Sequence, residues 1–165
     1  MKKVEFHPKA LATLRDFPEE VRRELGQAIF ELQKGNHLSM PLAKPMTSIE
    51  KGVEELRVKD LRSYTMKKIK PVIAKNAKEL AVALGLDEVV GLELEIRSDL
   101  NDKIIETVMK QELTHAQVAK LAKTSRTRVT ALMNRQSKEI STDLMLRILG
   151  AIGVHAKIHF KKIAA

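Results

Sequence analysis

Apolar positions along this chain recur mostly at three- and four-residue intervals, which predicts a mainly α protein with a few short strands. Val4 to Phe6 reads as a short strand, stopped by His7-Pro8. Pro8 suits the first turn of a helix running to about Asp16, with Leu11 and Leu14 inward. Phe17-Pro18-Glu19-Glu20 restarts a second helix, because proline is tolerated there and acids favour the positive helix end. Val21, Leu25, Ala28, Ile29 and Leu32 then repeat at helical spacing, and Gly35 supplies the stop. Asn36 to Lys51 is loop-like, with Pro41 and Pro45, and Val53 to Val58 reads as a strand.

There the pattern breaks. A strand ending at Val58 should meet a turn and a partner strand, yet Lys59 to Lys70 is polar and basic and a helical pattern follows. An orphan strand leaves its backbone donors and acceptors unpaired. The first sixty residues therefore read as part of an α+β fold whose remainder is missing.

Beyond Pro71 the helical rhythm is steady. Asn76 caps a helix to Leu84, with Glu79 three residues on and Gly85 closing it. Asp87 caps the next, Glu88 to Ile96, and Ser98 or Asp99 opens another in which Leu100, Ile104, Ile105 and Val108 form an apolar stripe. Thr114 starts a fourth helix, Thr124 or Ser125 a fifth, and Ser141 or Thr142 a sixth. In that last helix Leu144, Leu146, Ile148, Leu149 and Ile152 are expected to be buried and Gly153 ends it. Val154, Ala156, Ile158 and Phe160 then alternate with polar residues, a period-two strand. With no partner nearby in sequence, it is expected to pair with its copy in a second chain.

Composition sharpens this. The 165 residues include one Tyr, four Phe, no Trp and no Cys, which suits a small helical bundle and excludes disulfides and thiolate metal sites. The lack of cysteine fits a reducing cytosol, and a cytoplasmic location is expected. No apolar run approaches the roughly 18 residues that span a bilayer, and the N-terminus lacks the apolar stretch of a secretory signal. Charge is uneven. Residues 1–65 hold 12 basic and 10 acidic side chains, net +2, whereas residues 66–165 hold 18 and 11, net +7. A positive excess favours nucleic acid or an anionic membrane, and no basic amphipathic helix with a bulky apolar face supports the membrane.

The excess is concentrated. Between Glu112 and Glu139 there is no acidic residue, while Lys120, Lys123, Arg126, Arg128, Arg135 and Lys138 all fall inside. The same stretch has the form of two short helices joined by a tight turn. Ala119 is the small residue needed where they cross; Val118 and Leu121 face inward on the first helix, Val129 and Leu132 on the second. Thr114 and Gln117 form a T-x-x-Q capping box, whose freed amides suit a phosphate. Ser125, Arg126, Thr127 and Arg128 occupy the leading turn of the second helix, the part that enters a major groove. Arginine matches guanine O6 and N7 with two parallel hydrogen bonds, while Ser, Thr and Asn are more permissive readers. A plain solvated basic face is the competing reading; the missing acids, the capping box and the spacing argue against it.

From about Asn76 to Phe160 the chain resembles the antitoxin of a HigB/HigA-type toxin–antitoxin pair, an Xre-family, lambda-repressor-like domain. The carriers are ELEIRSDLNDKIIETVMKQELTHAQVAKLAKTSRTRVTALMNR and STDLMLRILGAIG. The resemblance implies a dimer that binds a palindromic operator and neutralises a partner toxin. It assigns DNA contact to Thr114, His115, Gln117, Lys123, Thr124, Ser125, Arg126, Thr127, Arg128, Thr130, Asn134 and Arg135. Two positions depart from the family pattern. His115 stands where glutamine commonly opens the first helix, and Lys123 where the turn commonly has glycine. A non-glycine residue in a left-handed turn costs on the order of 1 kcal/mol.

The opening segment resembles the partner toxin, a RelE/HigB-type messenger-RNA endonuclease of the phage-derived Gp49-like family, through FPEEVRRELGQAIFELQKG, AKPM and GVEELRVKD. In that family more strands and a basic tail follow. Here Met66-Lys67-Lys68-Ile69 instead resembles an antitoxin start, as though a deletion or frameshift had fused part of a toxin to its neighbour.

The expected architecture is thus a lambda-repressor-like helix-turn-helix bundle with a C-terminal dimerisation strand (residues 76–165). A truncated, partial α+β RelE-like segment (residues 1–62) and a linker (residues 63–75) precede it. No enzymatic activity is expected, because Arg57 supplies charge but neither base nor acid; a fused toxin–antitoxin that still cleaves messenger RNA is the alternative. His7, His37 and His115 are scattered. His155 and His159 share a strand face about 13 Å apart, too far for one metal ion. No metal or cofactor is expected. The expected partners are a palindromic double-stranded operator, a second copy joined through the C-terminal strand, and a RelE/HigB-type toxin.

Overall fold

The computed structural model describes residues 1–39, 42–46, 54–56, 72–136, 138, 140–157 and 159, and divides into two compact units, Met1–Ser98 and Asp99–Ala165. In the first unit, strand β1 (Val4–Phe6) leads through Pro8 into α1 (Pro8–Arg15). Helix α2 (Glu19–Lys34) begins after Pro18 with Glu19 and Glu20 at its positive end. It closes at Gly35, whose φ of 89° needs the freedom of glycine.

Two short antiparallel ladders follow. Strand β2 (Ala43–Pro45) pairs with β3 (Glu54–Leu56), in the register Ala43 to Leu56 and Pro45 to Glu54. Strand β1 pairs with β4 (Val72–Ala74), in the register Val4 to Ala74 and Phe6 to Val72. Two expectations are corrected here. The strand around Glu54–Leu56 is not an orphan, because its partner lies in the segment read as loop; three residues ending in proline show too little alternation to reveal a strand. Residues 72–74, read as linker, complete the sheet begun at Val4. Arg57, Val58 and the antitoxin-like start at Met66 lie outside the described residues.

Helix α3 (Ala77–Ala83) starts at Asn76, whose side chain accepts from the Glu79 amide at 2.8 Å, while Glu79 accepts from the Lys75 amide at 2.8 Å. Its far end is held by arginines of α1 and α2. Arg15 Nε donates to the Ala83 carbonyl at 2.8 Å, and Arg22 donates to the carbonyls of Leu84 and Gly85 at 2.9 and 2.5 Å. These are carbonyls that a helix end leaves without intrahelical partners, and a cation there complements the helix dipole. Gln33, buried in α2, donates to the carbonyls of Lys2 and Ala74 and so ties the lead into β1 and the end of β4 to this helix. The core combines Phe6, Leu11, Ile29 and Phe30 with Ala74, Ala77, Leu80, Ala81, Ala83, Leu84, Leu86, Val90 and Leu94. A smaller cluster of Ala28, Leu38, Leu42 and Ala43 lies beside β2.

The segment 76–98, expected at the head of the DNA-binding domain, therefore belongs to the N-terminal unit. Helix α4 (Glu88–Lys110) is also one helix where the sequence suggested two. Ser98 does not cap a new helix; it is buried and accepts from Lys34 Nζ at 3.0 Å. No glycine or proline follows Gly91 to break the run.

The second unit holds the last turns of α4 with α5 (His115–Leu121), α6 (Arg126–Met133) and α7 (Thr142–Ala151), the last capped by Ser141. Its core includes Ile104, Val108, Val118, Ala119, Ala122, Val129, Leu132, Ile140, Leu144, Met145, Ile148, Leu149 and Ile152. Leu146, expected inside, is 40 % exposed; Met145 takes its place, because the 144, 145, 148, 149, 152 stripe turns position 146 outward. The alternating C-terminal segment shows no strand among its described residues, Val154–Lys157 and His159. The Val154 amide instead bonds to the Leu149 carbonyl at 2.8 Å, closing α7, and its side chain packs on the core. Ile158 and Phe160 lie outside the described residues.

Candidate nucleic-acid interface

Two caps and one strained turn shape the surface formed by α5 and α6. Thr114 Oγ1 accepts from the Gln117 amide at 3.3 Å and Gln117 Oε1 accepts from the Thr114 amide at 2.8 Å, the reciprocal box the sequence predicts. Ser125 caps α6 by accepting from the Arg128 amide at 3.3 Å. Between them Lys123 sits at φ 49°, in the left-handed region, with the Thr124 amide bonded to the Ala119 carbonyl at 2.9 Å. This is a Schellman closure made without glycine.

Val118 and Ala119 of α5 and its C-cap Ala122 share a core with Val129 and Leu132 of α6. Ala119, the small residue expected at the crossing, is buried in that core. Leu121, expected to face inward, is 53 % exposed; Ala122, one residue on, is buried instead. A helix residue one step away is turned by about 100°, and the 118, 119, 122 stripe already fills the contact.

Most of the candidate DNA-contacting side chains stand outward. Thr114, Gln117, Lys123, Ser125, Arg126, Thr127 and Arg128 are exposed, with Lys120 beside them. Arg126 and Arg128 thus project from the leading turn of α6 in a stretch with no carboxylate of its own. Thr130 and His115 are half-buried and joined, His115 Nδ1 to Thr130 Oγ1, at 3.0 Å. Thr124 is half-buried and its hydroxyl oxygen is enclosed. Asn134 is half-buried at the C-cap of α6.

Arg135 is drawn inward. Its Nη1 bonds Asp102 Oδ1 of α4 at 2.5 Å, with the arginine side chain only 15 % exposed. One residue earlier on α4, the buried amide of Asn101 donates to the Leu132 carbonyl at 3.0 Å. Neither Asn101 nor Asp102 is conspicuous in the sequence. The one signal is that Asn101 shares a helical stripe with Ile104 and Val108, so a polar group there needs a buried partner.

Residues 90–161 match a family model described as a helix-turn-helix domain. Residues 12–82 match the model of phage derived protein Gp49-like (DUF891), a match that runs through β4 into α3 and past the boundary at 62 expected from the sequence. No curated protein and no solved structure matches the chain. The C-terminal fold and its match support a DNA-binding regulator of Xre-like type, and the N-terminal match is of toxin type. Among the described residues no helix is long and apolar enough to cross a membrane.

Proposed function

We propose that the chain is a sequence-specific DNA-binding antitoxin that represses its own promoter in a type II, HigB/HigA-like toxin–antitoxin system. It acts in the cytoplasm as a dimer on a palindromic operator. The observation that carries the reading is the exposed leading turn of α6, where Arg126 and Arg128 follow the Ser125 cap in an acid-free stretch. Phosphate contacts from Lys120 and Lys123 hold the register, and Arg126 reads a guanine edge. In this reading the C-terminal segment pairs with its copy in the second chain, and a RelE/HigB-type toxin is the protein partner.

Electrophoretic mobility shifts on the DNA immediately upstream test this. Binding should weaken steeply with salt, each neutralised phosphate adding about 0.9 to the log–log slope. Arg126→Ala should lose sequence preference, whereas Lys123→Ala should lower affinity evenly across sequences. If neither variant alters binding to that DNA, the proposal fails.

A second reading is favoured by the Gp49-like match and the closed core of the N-terminal unit: a fused toxin–antitoxin that still cleaves messenger RNA. We hold the non-catalytic reading expected from the sequence, in which Arg57 supplies charge but no proton transfer for attack by a 2′-hydroxyl. Incubating the purified chain with messenger RNA separates the two, since discrete cleavage products would establish the nuclease.

A further inference from the structure

We propose that Asn101 and Asp102, neighbours on α4, are positioning residues that set the angle of α6 and thereby its base preference, without touching DNA. The inference rests on the reading of α6 as the recognition helix. It also assigns Arg135 to an internal tether rather than to the DNA-reading set.

Helix α6 is eight residues long, and its two ends are held differently. At the leading end the Ser125 side chain caps the first turn, a bond made within the helix itself. At the trailing end three bonds converge. The Leu132 carbonyl accepts from the Arg135 amide at 2.9 Å and from Asn101 Nδ2 at 3.0 Å, so both its lone pairs are used. The Gln136 amide reaches the Ala131 carbonyl at 2.8 Å, completing a Schellman closure with Arg135 at φ 59°. That left-handed conformation is unfavourable for arginine, yet the guanidinium is received by Asp102 at 2.5 Å. The backbone of the turn and the side chain of its strained residue are thus both fastened to one turn of α4.

The consequence is a lever. Leu132 lies six positions beyond Arg126, an arm of about 9 Å at about 1.5 Å per residue. A tilt of about 10° at the tethered end therefore moves the leading turn by roughly 1.6 Å. Recognition geometry tolerates about 0.5 Å. Loosening the tether therefore costs directional base contacts, while phosphate contacts, which are less directional, persist.

The test uses the full chain. A duplex selected by the wild-type protein from a random-sequence pool and a scrambled duplex of equal length serve as probes, with salt slopes and thermal midpoints recorded. Asp102→Asn should reduce the preference for the selected duplex about tenfold to a hundredfold, the discrimination of one bidentate base contact, and leave the salt slope unchanged. Arg135→Gly suits the left-handed turn, so it should fold at least as well as wild type and lose the same preference. Asn101→Ala should act in the same direction. The exchange Asp102→Arg with Arg135→Asp should restore preference.

Retained preference in Asp102→Asn and Arg135→Gly would overturn the positioning role while leaving DNA reading intact. A salt slope lowered by about 0.9 in Arg135→Gly, with no rescue by the exchange, would make Arg135 a phosphate ligand instead. A wild-type chain that enriches no sequence from the pool removes the underlying reading itself.

Discussion

Gly91 of α4 passes the backbone of Lys78 so closely that a methyl group on it would stand 2.6 Å from the Lys78 Cα and 2.8 Å from its nitrogen, with the Ala77 carbonyl oxygen at 2.9 Å. All three are backbone atoms, which cannot swing aside as a side chain can. In an open helix, alanine for glycine gains about 1 kcal/mol of helix propensity. Overpacking costs about 1–3 kcal/mol, and here the clash is with main chain, so the loss wins. Gly91→Ala should lower the urea midpoint of the N-terminal unit. An unchanged midpoint would mean that α3 and α4 are not held at this distance.

The pairing of Val4 with Ala74 makes the N-terminal unit depend on residues far along the chain. A fragment of residues 1–65 lacks β4, α3 and the core residues from Ala74 to Leu94, and it also leaves Arg15 and Arg22 without the carbonyls they cap. It should show neither a cooperative transition nor dispersed amide resonances, whereas residues 1–98 should show both. A folded 1–65 fragment would contradict the assignment of β4 and α3 to this unit.

At the end of α5 the exposed Leu121 and the buried C-cap Ala122 should respond differently to substitution. Leu121→Gln should change stability by less than about 0.5 kcal/mol, as surface changes usually do. Ala122→Leu inserts three heavy atoms between α5 and the core and should cost about 1–3 kcal/mol. Thermal unfolding of the two variants reports the comparison directly.

Three helices of the second unit end on non-glycine residues at positive φ: Glu112 at 53°, Lys123 at 49° and Arg135 at 59°. Glu112 closes α4, with the Leu113 amide bonded to the Val108 carbonyl at 3.1 Å. Glycine there relieves about 1–2 kcal/mol of backbone conflict. It adds up to about 1 kcal/mol of unfolded-state entropy, so the balance is a modest gain. Glu112→Gly should raise the thermal midpoint by a few degrees. A fall would show that the glutamate side chain makes a compensating contact.

Most helices and their ends were legible in the sequence because their determinants are local; the exception is the break read near Ser98, where α4 runs on unbroken. Pro8 and Pro18 at helix starts, Asn76, Ser125 and Ser141 as caps, the Thr114–Gln117 box and the glycine stops each act within four or five residues of where they stand. The outward placement of Arg126 and Arg128 follows from the same local register. What tertiary structure alone decided is non-local. Three-residue strands such as Ala43–Pro45 and Val72–Ala74 carry too little periodicity to announce themselves, and only a partner elsewhere makes them strands. Leu121 and Leu146 were misplaced because a helical stripe fixes spacing, whereas the neighbouring helices decide which edge of it is covered. In sequence Asp102 is inconspicuous, Asn101 is marked only by its place on an apolar stripe, and Arg135 reads as a DNA contact. They become a tether because packing brings α4 against the trailing end of α6, where Asn101 meets the Leu132 carbonyl and Asp102 meets Arg135.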